Sequence, residues 1–238
     1  MRFFLVSLVL SWVMSCQQQS NGSGEMGPPI LPTKKLNAAF LIVDGVYNSE
    51  LIAPMDVFQH TIFHTDKGIS VFTIAPKKDT ITTFEGLNIL PDYSFDDAYP
   101  DIDILIVPSA QHSMDSDLEN EALISFVKTN GKKAAYIFSL CDGAFVLAKA
   151  TLLDQHDCTT FPSDIDRFKK TFAQLTVHKE VSFVHDRNAI TSAGGAKSYD
   201  AALYLAELLY GKKVADGIAK GLVIDWDLSQ VRYKRTNH

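Results

Sequence analysis

The sequence is short of the features that define several common protein classes. Only three of its 238 residues are cysteine, so a disulfide-stapled scaffold is excluded. No Gly-x-Gly-x-x-Gly follows a strand-like run and no phosphate loop occurs, so no nucleotide cofactor is expected. The seven histidines are scattered without the paired spacing of a zinc site, and no metal is expected. Basic residues do not gather before the short tail Arg232 to Arg235. With a formal net charge of −6 and a pI near 5.6, the chain offers no footprint for nucleic acid. Internal repeats are lacking too.

What is present is apolar material for one sizeable core: 46% of residues are hydrophobic, and the length suits one large α/β domain. Residues 37–238 are read as that domain. Ahead of it, Met1-Arg2 and the apolar run Phe3 to Val13 have the form of a secretory signal over residues 1–15, too short for an ordinary spanning helix. The run ends Val13-Met14-Ser15-Cys16, which resembles the lipobox of bacterial lipoproteins. That resemblance implies a lipid on Cys16, attachment to the membrane through it, and a place in the bacterial cell envelope. Residues 16–36 are polar and rich in Gly, Ser and Pro, as a flexible tether is.

From Asn37 onward, apolar runs alternate with helical periodicity. Residues 38–43, 69–75, 103–107 and 134–140 read as buried strands. Leu51, Met55 and Phe58 recur at helical spacing, with Pro54 tolerable if the helix starts near it. Residues 80–90 suit a small antiparallel hairpin, residues 117–130 one acidic-capped helix, and residues 196–210 and 214–223 two more helices. His185 to Asn188 reads as a turn between two strand segments. Strands alternating with helices predict a mostly parallel sheet covered on both faces.

Reactive residues of such sheets stand just past the carboxyl ends of the strands. The stretch from Ala134 to Lys149 supplies the clearest case: an apolar strand, then Cys141 at a sharp turn, then a helix of small and apolar residues, which is the order of a nucleophile elbow. A thiol at a helix amino terminus is expected to be acidified; the plainer alternative is a cysteine that fills space in the core. Cys141 and Cys158 are read as free thiols, since a bridge would consume the elbow sulfur.

Four segments in order carry a resemblance: Val43-Asp-Gly-Val46, Glu50 to Phe58, Cys141 to Ala148 with Leu152-Leu-Asp154, and Thr191-Ser-Ala-Gly194 with Asp200 to Leu203. Over residues 37–225 the chain resembles the ThiJ/PfpI family of the class I glutamine-amidotransferase-like fold, most of all its isonitrile-hydratase and regulator-amidase branch. The resemblance implies a flavodoxin-like three-layer α/β sandwich, a homodimer, a Cys141 nucleophile, and an acid/base carboxyl at Glu50. Gly194 and Gly195 fall in the pocket, and the Ala110 and Asp142 N–H groups are the candidates for an oxyanion hole.

Two departures bear on mechanism. Asp142 stands where amidotransferase and protease branches place histidine, and Phe161 follows Thr159-Thr160 where the regulator-like branch places it. Activation of a cysteine by an adjacent imidazole is therefore not available at either position. His112, just past a strand end, is either a substitute base or a surface-loop histidine. His60, His64, His156 and His178 are assigned to exposed faces. Asp200 either caps the helix beside it or faces the pocket. The expected function is a cysteine-dependent hydrolase or hydratase acting on a small electrophile of isonitrile, amide or carbonyl type. The alternative is a non-catalytic small-molecule-binding or redox-responsive protein on the same scaffold. A third reading, a transcription regulator with this scaffold as its sensor half, is the weakest expectation, as about 27 residues follow Gly211 and an exported chain does not meet DNA.

Overall fold

A computed structural model describes residues 26–236; the expected signal run and Cys16 lie outside them. Strand β1 (Leu36–Leu41) leads through a loop into helix α1 (Asn48–His60). There follow β2 (Ile69–Ala75), β3 (Ile81–Thr82), β4 (Asn88–Ile89), β5 (Tyr93–Ser94) and β6 (Ile104–Val107), then helices α2 (Ser116–Glu119) and α3 (Glu121–Gly131). Next come β7 (Tyr136–Leu140), α4 (Gly143–Lys149), β8 (Asp157–Cys158), α5 (Ile165–Thr171), β9 (Thr176–Val177), β10 (Phe183–Asp186), β11 (Ala189–Ser192), α6 (Lys197–Tyr210), α7 (Lys212–Gly221) and β12 (Tyr233–Thr236).

Eight strands form the main sheet in the order β12-β10-β11-β7-β6-β1-β2-β5. Every neighbouring pair is parallel except β10 with β11. The period of two along each strand divides the core between the faces. Ala38, Phe40, Ile104, Ile106 and Phe138 point into a cluster with α1, α6 and α7 residues such as Val57, Tyr204 and Ile218. Ala39, Leu41, Leu105, Val107 and Ile137 point into a second cluster with Val127, Phe145 and Phe168. Both faces are thus covered, which is why these strands read as unbroken apolar runs.

Local details differ from the sequence expectation. Pro54 lies inside α1, which begins six residues earlier; lacking an N–H, it leaves the carbonyl of Glu50 without its helical partner. Residues 117–130 form two helices because Asn120 adopts extended backbone (φ −77°, ψ 94°) and its side chain caps α3 by accepting from the Leu123 N–H. The segment expected as tether is partly docked: Ile30 and Leu31 donate to the carbonyls of Leu208 and Leu209 at the end of α6, where helical partners run out. His185 belongs to β10 and is buried, donating to or accepting from Tyr204 Oη at 2.7 Å and the Arg187 carbonyl at 2.8 Å. Burial pushes its pKa down to about 4. Because β10, together with β12, runs against the other six strands of the sheet, its last residues stand at the end opposite Cys141. His178 and His156 are also drawn inward, His178 to Asp157 at 2.7 Å and His156 towards Asp186 at 4.0 Å.

Helix α4 approaches β6 closely at Gly143. A Cβ on Gly143 would stand 2.0 Å from the Val107 carbonyl oxygen, a backbone atom that cannot rotate away. Gly143→Ala is expected to lower unfolding stability by at least about 3 kcal/mol, as overpacking against backbone does at its worst, read from urea denaturation.

Candidate active site at the Cys141 elbow

Strand β7 ends at Leu140 and α4 begins at Gly143, so only Cys141 and Asp142 make the turn between them. Cys141 takes a left-handed conformation (φ +53°) that L-residues other than Gly rarely adopt. Three neighbours hold it there. Its N–H donates to the Ser192 carbonyl at 3.0 Å. Its C=O accepts from the Thr160 hydroxyl at 3.1 Å. Gly194 lies directly behind it, where an added Cβ would meet the Cys141 Cβ at 2.4 Å; Gly194 is itself at φ +80°, so only glycine fits.

The thiol is 7% exposed and hydrogen-bonds the Asp142 carboxylate, Sγ to Oδ2, at 3.8 Å. The other Asp142 oxygen accepts from Thr160 Oγ1 at 2.9 Å. The Ser109 side chain and the Asp142 N–H also reach the sulfur. Burial, followed by the negative charges of Asp142 and Glu50, holds the Cys141 thiol well above its ordinary range despite those two contacts. The acidified thiol expected from the helix start is therefore not what the site contains. Burial also pushes the Asp142 carboxyl up to about 6, against the opposing pull of the Thr160 hydrogen bond.

Glu50, in the first turn of α1, is buried and faces the elbow. Its Oε1 accepts from the Gly195 N–H at 2.8 Å and its Oε2 from the Ser49 hydroxyl at 2.8 Å, so it acts on the thiol by charge. Gly195 with Ser49, Asn48, Leu87 and Tyr199 lines a cavity of about 420 Å³ beside the carboxylate. Asp200, left between capping and pocket, pairs with Lys197 at 3.1 Å.

Two expected participants stand elsewhere. The Ala110 N–H donates to Ser113 Oγ at 2.8 Å, so it is not free for an oxyanion. His112 pairs with Asp115 at 3.1 Å, is half exposed, and lines a separate cavity of about 310 Å³ with Asp44, Lys77 and Asp117. Three residues that sequence reasoning passed over belong to the site instead. No local pattern marks the side chains of Thr160 and Ser109, which reach the elbow from other segments of the chain. Tyr47 lies in the loop after β1, and its burial together with the charges of Cys141, Glu50, Asp142 and Glu85 raises its phenol pKa. Among the described residues no group of three or more His, Cys, Asp or Glu is arranged to hold a metal ion, and Cys141 and Cys158 are both free thiols.

The profile of the DJ-1/PfpI family matches residues 36–208. The chain belongs to the DJ-1/PfpI family. Curated relatives include isonitrile hydratase of Pseudomonas putida, 28% identical over 76% of this chain and 75% of that protein. Protein dj-1beta of Drosophila melanogaster is 25% identical over 80% of this chain and 98% of that one. The HTH-type transcriptional regulator GbdR of Pseudomonas aeruginosa matches at 26% identity, but over only 37% of its own length. Among solved structures, a ThiJ/PfpI family protein from Pseudomonas syringae superposes with a TM-score of 0.70 at 23% identity, covering 88% of this chain and 84% of that chain. Drosophila DJ-1beta gives 0.68 at 23%, covering 81% and 100%. These superpositions establish the flavodoxin-like α/β fold for this member of the DJ-1/PfpI family.

The raised carboxyl of Asp142 has a measurable consequence for stability. Its folded pKa of about 6 lies above the unfolded value of about 3.9, so the native state holds an extra proton between them. Stability is therefore fully present below about pH 4 and is lost as pH rises through about 6, by at most about 3 kcal/mol at 1.36 kcal/mol per unit. Asp142→Asn keeps an oxygen for Thr160 and should flatten that dependence, leaving the variant more stable than wild type near neutrality. Urea unfolding at about pH 4.5 and about pH 7.5 reads the difference.

Proposed function

We propose that this DJ-1/PfpI protein is a cysteine-dependent hydratase acting on a small electrophile of isonitrile type, with Cys141 as nucleophile, Asp142 as its base and Glu50 as the base for water. The observation that carries the reading is the hydrogen bond from the Cys141 thiol to a carboxylate whose pKa is pushed up to about 6. A carboxyl of that basicity can take the thiol proton at the moment of attack and give it up in the next step. An isonitrile carbon needs both: it accepts the sulfur and the proton at the same atom, so S–H adds across it to give a thioimidate. Water then adds to the C=N carbon while Glu50 takes its proton and nitrogen gains one. The C–S bond breaks, sulfur recovers a proton, and the sum is isonitrile plus water giving the formamide. Similarity to isonitrile hydratase of Pseudomonas putida supports the substrate type.

Neutral-thiol addition suits this site better than hydrolysis by a standing thiolate, because burial and two carboxylates both oppose the anion. The same fact favours a second reading, a non-catalytic small-molecule binder, and counts against a redox sensor, which needs a low-pKa exposed thiol. The homodimer and the lipid on Cys16 are part of the proposal: an envelope enzyme held to the membrane through that lipid.

The test is turnover of an isonitrile panel by wild type and Cys141→Ala. Wild type is expected to form the formamide and the variant to lose at least about a thousandfold in kcat/KM, the scale of removing a covalent nucleophile. The rate should rise with pH through about 6 as Asp142 ionises, and that limb should vanish in Asp142→Asn. Equal turnover by Cys141→Ala across isonitriles, amides and 2-oxoaldehydes sinks the enzyme reading. For the anchor, Cys16→Ser is expected to move the protein from the membrane fraction to the soluble one.

A further inference from the structure

Four carboxylates lie on or beside the segments that flank the elbow, and each has only neutral partners. Glu50 accepts from the Gly195 N–H and the Ser49 hydroxyl. Glu85 accepts from the Asn48 N–H at 3.0 Å, at the start of the helix that carries Glu50. Asp142 accepts from Thr160 and Cys141. Asp164, whose N–H bonds the Phe161 carbonyl just past Thr160, accepts from the Ser163 hydroxyl at 3.2 Å. Among the described residues none of the four pairs with a cation, although acids elsewhere do: Asp103 with Lys34, Asp166 with Lys179, Asp216 with Lys212. The direct electrostatic effects agree, since the strongest charges acting on Cys141, Asp142 and Tyr47 are all negative.

Two further features lie alongside that charge. The Tyr47 ring packs on Phe84 with centroids 4.6 Å apart, and Phe84 is 55% exposed on a segment fixed by its N–H to the Val46 carbonyl. The adjoining cavity of about 420 Å³ has no charged side chain in its wall, and Asn48, one of the residues that line it, has its Oδ1 buried without a hydrogen-bond donor. An aromatic face attracts a cation, a field of unpaired carboxylates concentrates one, and an orphan amide oxygen calls for an N–H.

We propose that the Cys141 site selects small molecules bearing an ammonium group, which docks against Tyr47, Phe84 and the ring of carboxylates while its uncharged remainder occupies the cavity beside Gly195. Carboxylates, phosphates and sulfonates are excluded by the same charges. This deepens the functional reading by naming the substrate class of that site, and it rests on that reading only for Cys141 as the reacting end.

The test uses three methanethiosulfonates that differ in charge: 2-aminoethyl, methyl and 2-sulfonatoethyl. Each transfers its alkylthio group to the sulfur and releases methanesulfinate, the thiol proton going to solvent. Rates at Cys141, followed by peptide-resolved mass spectrometry on the full chain and divided by each reagent's rate with a free thiol, remove intrinsic reactivity. The aminoethyl reagent is expected to exceed the sulfonatoethyl one by at least about tenfold. The Glu85→Gln/Asp164→Asn double variant should bring that ratio down severalfold, and Phe84→Leu should slow the aminoethyl reagent about two- to fivefold with the methyl reagent unchanged. A normalised ratio near one in wild type, or one that the double variant leaves untouched, overturns the inference. Because the readout is alkylthiolation and not turnover, charge selection that persists without isonitrile hydration rejects the hydratase and keeps the ammonium site. Hydration of neutral isonitriles with a flat charge ratio does the reverse.

Discussion

The site depends on one residue kept in a backbone conformation it would not choose. Left-handed geometry at a non-glycine residue costs on the order of 1 kcal/mol or more, and it persists only where the surroundings leave no alternative. At Cys141 the surroundings come from two segments distant in the chain. Strand β11 takes its N–H through Ser192, the loop after β8 takes its carbonyl through Thr160, and Gly194 closes the space behind its Cβ. Gly143, two residues later, lets α4 descend onto the Val107 carbonyl. The sheet order places β6, β7 and β11 side by side, and that is what brings these supports together.

Geometry of this kind is usually read as a recipe for thiolate, and here the electrostatics overrule it. A helix start favours an adjacent anion by about 0.3–1 kcal/mol, up to about 2 in sheltered sites. The α4 helix has seven residues, so it lies at the modest end. Against it stand near-complete burial and two carboxylates, Asp142 in contact and Glu50 behind, which raise the thiol decisively. The proton stays on sulfur at neutral pH, and the Asp142 carboxylate is held where it can accept that proton.

The parts of this arrangement visible in the sequence were those made locally. Residues 38–43, 103–107 and 134–140 announced buried parallel strands because both of their faces are covered, and the strand-Cys-helix order of the elbow is contiguous. The hairpin of β3 and β4 was legible from its β-branched residues for the same reason. What escaped were contacts between segments far apart in the chain. Thr160 meets Asp142 across 18 residues, and His185 meets Tyr204 across 19. No periodicity marks either pair. The resemblance implied a free N–H at Ala110, and the competing Ser113 hydroxyl three residues on could not be weighed without the turn's shape. Pro54 and Asn120 went the other way: packing of α1 tolerated the proline in mid-helix, and the Asn120 side chain capped α3 and so divided the single helix expected over residues 117–130.

Replacing an imidazole by a carboxylate beside the cysteine changes more than the identity of the base. The basicity is nearly conserved, since a free imidazole titrates near 6.5 and Asp142 near 6. The charge is not. Proton transfer from thiol to imidazole creates an ion pair that stabilises the thiolate it has just formed, so a cysteine-histidine site can hold the anion at rest. Transfer to Asp142 leaves a thiolate beside a neutral acid, with Glu50 still nearby and no attraction to retain it. In such a site the sulfur anion exists only while an electrophile is present to take it. That confines the chemistry to substrates that accept sulfur and proton together, and it gives a positive charge on the incoming molecule a second use: it lowers the local negative potential as the anion forms.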